Sequence, residues 1–145
     1  MTWSLGEVAA VIAVAAPAGL IPLLGLPALA GRHLPERATG LVARWSLVAS
    51  VSALVAAAAA VSWGSERVVV EFGTLFAAGS YRLAPTLLLD SLSLPFAAFA
   101  IGLCGVIGAF AVRYLHREDG YNRFFLMLAM FATGILLVIL AGGLE

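Results

Sequence analysis

The chain has 145 residues, of which 63% are hydrophobic and only 11% charged, against the ~25% charged residues of a soluble domain; with a mean hydropathy of +1.07 it reads as a membrane protein. Its eight basic residues, all Arg, balance eight acidic ones, so no net field recruits nucleic acid, and nucleic-acid binding is excluded. The single cysteine, Cys104, excludes a disulfide framework or a multi-thiolate metal site built from this chain alone.

A helix that crosses the hydrocarbon needs ~20 apolar residues. Four stretches free of Asp, Glu, Arg and His are long enough: Val8 to Gly31, Trp45 to Ser65, Ser91 to Val112 and Phe124 to Leu144. Because an Arg or Asp at a helix centre costs roughly 2.5 to 3.5 kcal/mol on the insertion scale, charges confined to the gaps are what membrane insertion selects. The sequence predicts an all-α membrane protein, a single membrane domain over residues 1–145 with four transmembrane helices at about 8–31, 45–65, 91–112 and 124–144.

The first span carries Pro17, Pro22 and Pro27, which in lipid kink a helix while its neighbours satisfy the freed carbonyls. No basic n-region precedes it and its apolar stretch exceeds a typical h-region, so it is expected to stay as a helix rather than be cleaved as a signal peptide. The second span is Ala-rich between Trp45 and Trp63, whose rings favour the interface. In the third, Gly102, Gly105 and Gly108 recur three apart and read as a smooth helix-packing seam rather than a ligand pocket, with Cys104 as a small core residue. In the fourth, Thr133 is the only hydroxyl, and it can bond back to its own backbone.

The gap between the first two spans holds Arg32, His33, Arg37 and Arg44, and that between the last two holds Arg113, Arg117 and Arg123. With an even number of helices between them, both fall on one side, which the positive-inside rule makes cytoplasmic and leaves both chain ends outside. His33 and His116 lie in these gaps as solvated or anchoring residues rather than proton relays. The gap from Glu66 to Asp90 differs: Arg67 to Phe72 is rich in β-branched residues, Gly73 and Gly79 punctuate it, and Tyr81 to Leu83 opens a second extended run. An external β-hairpin over about 66–90 is predicted between helices 2 and 3, with Pro85 marking an edge strand that offers itself to another chain.

Ion transport through a bilayer uses ionisable side chains inside the helices, and none stands at mid-membrane depth here. There is also no ligand cluster, phosphate loop or Ser-His-Asp combination, so no catalytic, cofactor-binding or metal residue is assigned and no cofactor is expected. Asp90 precedes Ser91, Leu92, Ser93 and Pro95, and is read as the cap of a helix start rather than as part of an ion path.

Two motifs carry a resemblance. Gly79 to Leu83 leading into Leu89-Asp90-Ser91-Leu92-Ser93, followed some thirty residues later by Tyr114 to Asn122 and Arg123-Phe124-Phe125, resembles the N-terminal region of the antiporter-like membrane subunits of respiratory complex I. The likeness is to the subunit L type of NADH-quinone oxidoreductase, with the A-type component of the Mrp cation/proton antiporter and the membrane subunit of inorganic-carbon uptake complexes as relatives. It implies that Asp90, Leu92, Ser93, Arg123, Phe124 and Phe125 are family-motif positions at structural or loop sites, that the helices belong to a proton-translocating membrane arm, and that the hairpin helps tie neighbouring subunits together. The family continues past Ala141 with an acidic-Asn-Leu element where this chain has Gly142-Gly143-Leu144-Glu145. Its key Glu and Lys residues lie on later helices, and none can be carried over.

The sequence therefore reads as the N-terminal portion of such a subunit, a split polypeptide or a truncated product, partnered by the bilayer and by other membrane subunits. It would be structural around a proton pathway completed by other helices. A noncatalytic scaffold or assembly protein, a membrane subunit of an inorganic-carbon uptake complex and a small autonomous transporter are the alternatives; charge-free spans argue against the last.

Overall fold

The computed structural model describes residues 4–63, 68–71, 76–78, 81–83, 86–118 and 120–141. Four long helices dominate: α1 (Leu5–Leu29), α2 (Glu36–Trp63), α3 (Ser93–Tyr114) and α4 (Tyr121–Ile139). Each is long and apolar enough to cross a membrane. Even the shortest, α4 with 19 residues, extends roughly 28 Å at 1.5 Å per residue, close to the ~30 Å of hydrocarbon.

Local chemistry sets where these helices begin. At α1, Ser4 Oγ accepts the Glu7 N–H at 3.2 Å while the Glu7 carboxylate accepts the Ser4 N–H at 2.7 Å, a reciprocal cap that satisfies two otherwise orphaned donors. The helix then runs through Pro17, Pro22 and Pro27. Beyond it Gly31 takes φ +69°, a left-handed turn that glycine adopts without a Cβ clash.

The second helix starts at Glu36, nine residues before Trp45, so Arg37 and Arg44 stand on a helix and not in a loop. A stretch free of charge measures the hydrocarbon crossing and not the helix, which continues into the interface. Pro35 opens this extension. Its missing N–H is harmless in a first turn, its carbonyl accepts the Thr39 N–H at 3.0 Å, and the Glu36 carboxylate suits the positive end of the helix dipole. The bounds of the other three helices differ from those read off the sequence by two to five residues.

The helices form a ring in which α1 packs on α2 and α4, α3 packs on α2 and α4, and α2 meets α4 across the diagonal. Fully buried small residues, among them Ala10, Ala13, Ala57, Ala97 and Ala132, let backbones approach where lipid offers no hydrophobic drive for association. The Ser50 hydroxyl donates to the Ala13 carbonyl at 2.6 Å and so ties α2 to α1. Leu54, Ile101, Phe125 and Leu136 fill the remaining interior.

Between α2 and α3 lies the expected β-hairpin, formed of two nested antiparallel strand pairs. Strand β1 (Val68–Glu71) pairs with β4 (Thr86–Leu89), and β2 (Phe76–Ala78) pairs with β3 (Tyr81–Leu83). The registers set Val68 opposite Leu89 and Phe76 opposite Leu83. Along β4, Leu87 and Leu89 are buried while Thr86 and Leu88 are half-buried, the two-residue alternation of a strand with one covered face.

The outer edge of β4 is met from within the chain. The Leu88 N–H donates to the Leu140 carbonyl at 2.8 Å and Leu87 bridges Ala141, so this edge is closed to a partner strand. Arg67, Phe72, Gly73, Gly79 and Pro85, singled out in the sequence, lie outside the described residues.

Candidate functional site at the two ends of helix 3

Strand β4 delivers the chain into α3 through Asp90. One oxygen of the Asp90 carboxylate accepts the N–H groups of Leu92 at 3.0 Å and Ser93 at 2.7 Å, and Ser93 Oγ accepts the Asp90 N–H at 3.0 Å. These bonds satisfy donors that the first helical turn leaves unpaired and put a negative charge at the positive end of the dipole. Leu92 is exposed. Beside this turn a cavity of about 280 Å³ is lined by Asp90, Leu92, Ser93, Phe96 and Ile139 together with strand residue Leu88.

At the opposite end α3 closes with the Leu115 N–H donating to the Ala111 carbonyl at 2.9 Å. Arg117 then adopts φ +70°, and α4 begins at Tyr121. Glu36 at the start of α2 clamps this turn. One carboxylate oxygen lies 2.8 Å from His116 Nδ1 and the other accepts the Arg117 N–H at 3.0 Å.

Asn122 makes a second clamp, donating to the Leu34 carbonyl at 2.9 Å while its own oxygen accepts the hydroxyl of the fully buried Thr39. Tyr121 lies over Gly40, where an added Cβ would stand 2.6 Å from the phenol oxygen, so a side chain there would have to displace the Tyr121 ring. In Arg123-Phe124-Phe125 three neighbours enter three environments: Arg123 is exposed, Phe124 half-buried and Phe125 in the core. The two phenyl rings meet edge to face with centroids 5.5 Å apart, a favoured aromatic geometry.

The two sequence motifs do not converge on one site. They sit at opposite ends of the 22-residue α3, roughly 33 Å apart at 1.5 Å per residue. Within this chain the three glycines differ in what they meet. A Cβ on Gly102 or Gly105 would meet nothing within 4 Å, whereas on Gly108 it would press on Leu128 at 3.3 Å and Leu47 at 3.5 Å. Three-residue spacing lags the helical repeat by about 60° a step, so Gly108 has turned into the bundle while Gly102 and Gly105 face outward. They open into a groove of about 1130 Å³ between α2 and α3, which Arg37, Arg44 and Arg113 also line.

Among the described residues no three His, Cys, Asp or Glu side chains gather closely enough to hold a metal. The polar clamps on Glu36, Thr39 and Asn122 escaped the sequence reading. The available signal was Pro35-Glu36, a proline followed by an acid, which marks a helix start nine residues ahead of Trp45.

Comparison with known families finds residues 75–125 matched by the family described as NADH-ubiquinone oxidoreductase (complex I), chain 5 N-terminus. No curated protein matches the chain. The matched stretch runs from the inner strand pair through all of α3 to Phe125, and so contains both the Asp90 turn and the Arg123-Phe124-Phe125 start of α4. This segment is thus similar to the N-terminal region of the antiporter-like membrane subunits of complex I.

Proposed function

We propose that the chain is a membrane subunit, or the N-terminal part of one, in a proton-translocating complex of the NADH-quinone oxidoreductase or Mrp antiporter type. The observation that carries this reading is the family match over residues 75–125, set on four membrane-length apolar helices. Between residues 8–29, 45–62, 93–112 and 124–139 these helices contain no Asp, Glu, Arg, Lys or His. Proton pathways through membranes are built from such groups, so the pathway's ionisable residues sit on other helices, and this chain supplies the frame around them. Asp90, Leu92, Ser93, Arg123, Phe124 and Phe125 then act by shaping the ends of α3 and α4.

The arginine-bearing turns share one end of the bundle, where Glu36 of one turn meets His116 and Arg117 of the other. The positive-inside rule makes that end cytoplasmic, with both chain termini and the hairpin on the other side of the inner or cell membrane.

The test is made in inverted vesicles holding the full complex, comparing Asp90→Ala and Arg123→Ala with wild type. Expected is reduced NADH-driven acidification, read by a quenched dye, with the complex intact on native gels. Loss of assembly with normal pumping per assembled complex would instead establish a scaffold. Proton flux in liposomes that contain this chain alone would refute the division of labour.

A further inference from the structure

The groove between α2 and α3 is apolar over most of its length and cationic at one end. Leu41, Val48 and Val51 of α2 face Val106 and Phe110 of α3 across it, and Gly102 and Gly105 leave space where a Cβ would touch nothing within 4 Å. From Arg37 to Ser52 its α2 wall extends roughly 22 Å at 1.5 Å per residue. Arg37, Arg44 and Arg113 line the same groove, and among the described residues none of the three has an ion pair. Among the described residues the one acid lining this groove, Glu36, is held by His116 Nδ1 and the Arg117 N–H. Among the described residues the rim is therefore short of negative charge.

Depth identifies the source of that charge. Arg44 adjoins Trp45, which is 63% exposed, and Tyr114 on α3 is 75% exposed beside Arg113. Exposed aromatic rings of this kind settle at headgroup level, so the guanidinium groups lie where lipid phosphates are. A transmembrane helix seated in the groove would cover the glycines but bring no countercharge by itself. A phospholipid brings both parts, an acyl chain for the apolar floor and a phosphate that guanidinium groups bind through paired hydrogen bonds.

We propose that this groove is a binding site for one anionic phospholipid, whose acyl chain lies over Gly102 and Gly105 and whose phosphate is held by Arg44 with Arg37 and Arg113. The site requires only that the chain resides in a bilayer and is independent of which complex it joins.

The test is native mass spectrometry of the full chain in detergent, with phosphatidylglycerol or phosphatidylcholine added at equal concentration. Expected is one retained phosphatidylglycerol per chain and little phosphatidylcholine. Arg44→Gln and the Arg44→Gln/Arg113→Gln pair should weaken retention about tenfold or more through lost charge-assisted bonds. Gly105→Leu should abolish it while leaving the circular dichroism spectrum unchanged, since that position has room for a side chain. Equal retention of the two lipids, or unchanged retention in both Gly105→Leu and the arginine variants, would overturn the site. So would Gly105→Leu expelling a neighbouring subunit from the assembled complex, because the groove would then belong to a helix.

Discussion

At one end of the bundle the hairpin is joined to α4 through backbone groups, with the Leu88 N–H on the Leu140 carbonyl and Leu87 and Leu89 buried beneath the strand. At the other end the same work falls to side chains: Glu36 holds the turn after α3, and Asn122 holds the turn before α2. Backbone bonds ignore side-chain identity, so the junction of the hairpin with α4 yields chiefly when buried volume is removed. The arginine-bearing end is sensitive to the loss of a single polar atom.

Leu89→Ala is the largest expected effect. Leu89 is fully buried, and truncating such a leucine costs about 2–5 kcal/mol from lost packing and the remaining cavity. In mixed micelles, reversible unfolding by SDS should show the loss while amide exchange at Leu88 still reports the bond to Leu140. Leu88→Ala, on the half-buried face of the strand, should cost much less. If the two substitutions cost the same, burial is not what secures this end.

Asn122→Leu comes next and probes the opposite end. It strips partners from the Leu34 carbonyl and from the buried Thr39 hydroxyl, and an unsatisfied buried polar group costs about 1–3 kcal/mol. Replacing both members of a hydrogen-bonded pair is far milder than removing one. Thr39→Val added to Asn122→Leu should therefore recover part of the loss. A strictly additive double variant would show that Thr39 and Asn122 are not coupled.

These two substitutions also mark how far the sequence could be read. The four helices were legible because membrane insertion forces charge out of long stretches, a signal that survives in one dimension. The turn into α3 was legible because Asp90 and Ser93 are three residues apart and bond locally. The clamps were not: Glu36 and His116 are 80 residues apart and Leu34 and Asn122 are 88 apart, and no periodicity relates such pairs. The glycine row was legible as small residues on α3 but not in what each one meets, because the helical repeat carries Gly108 inward and leaves Gly102 open within this chain.

Asp90→Ala tests a local device at the hairpin end. Removing a capping carboxylate costs about 0.5–2 kcal/mol, and the damage should stay in the first turn of α3. Hydrogen exchange at Leu92 and Ser93, whose N–H groups it accepts, should accelerate before any change appears in the middle of the helix. Uniform acceleration along α3 would mean that the strand pair, and not the cap, secures the helix start.

Arg117→Gly is the smallest effect and has the opposite sign. A residue with a Cβ is strained at φ +70°, where glycine is not. Its side chain is exposed, and the Glu36 carboxylate reaches its backbone N–H, which glycine keeps. The gain is offset by the greater freedom of glycine in the unfolded chain, leaving a net stabilisation of about 0.5–1 kcal/mol at most. Arg117→Ala removes the same side chain but retains the strain, so the difference between the two variants isolates the backbone term. Equal stability for alanine and glycine would show that the turn relaxes out of the left-handed region, and that the Glu36 clamp alone does not impose its geometry.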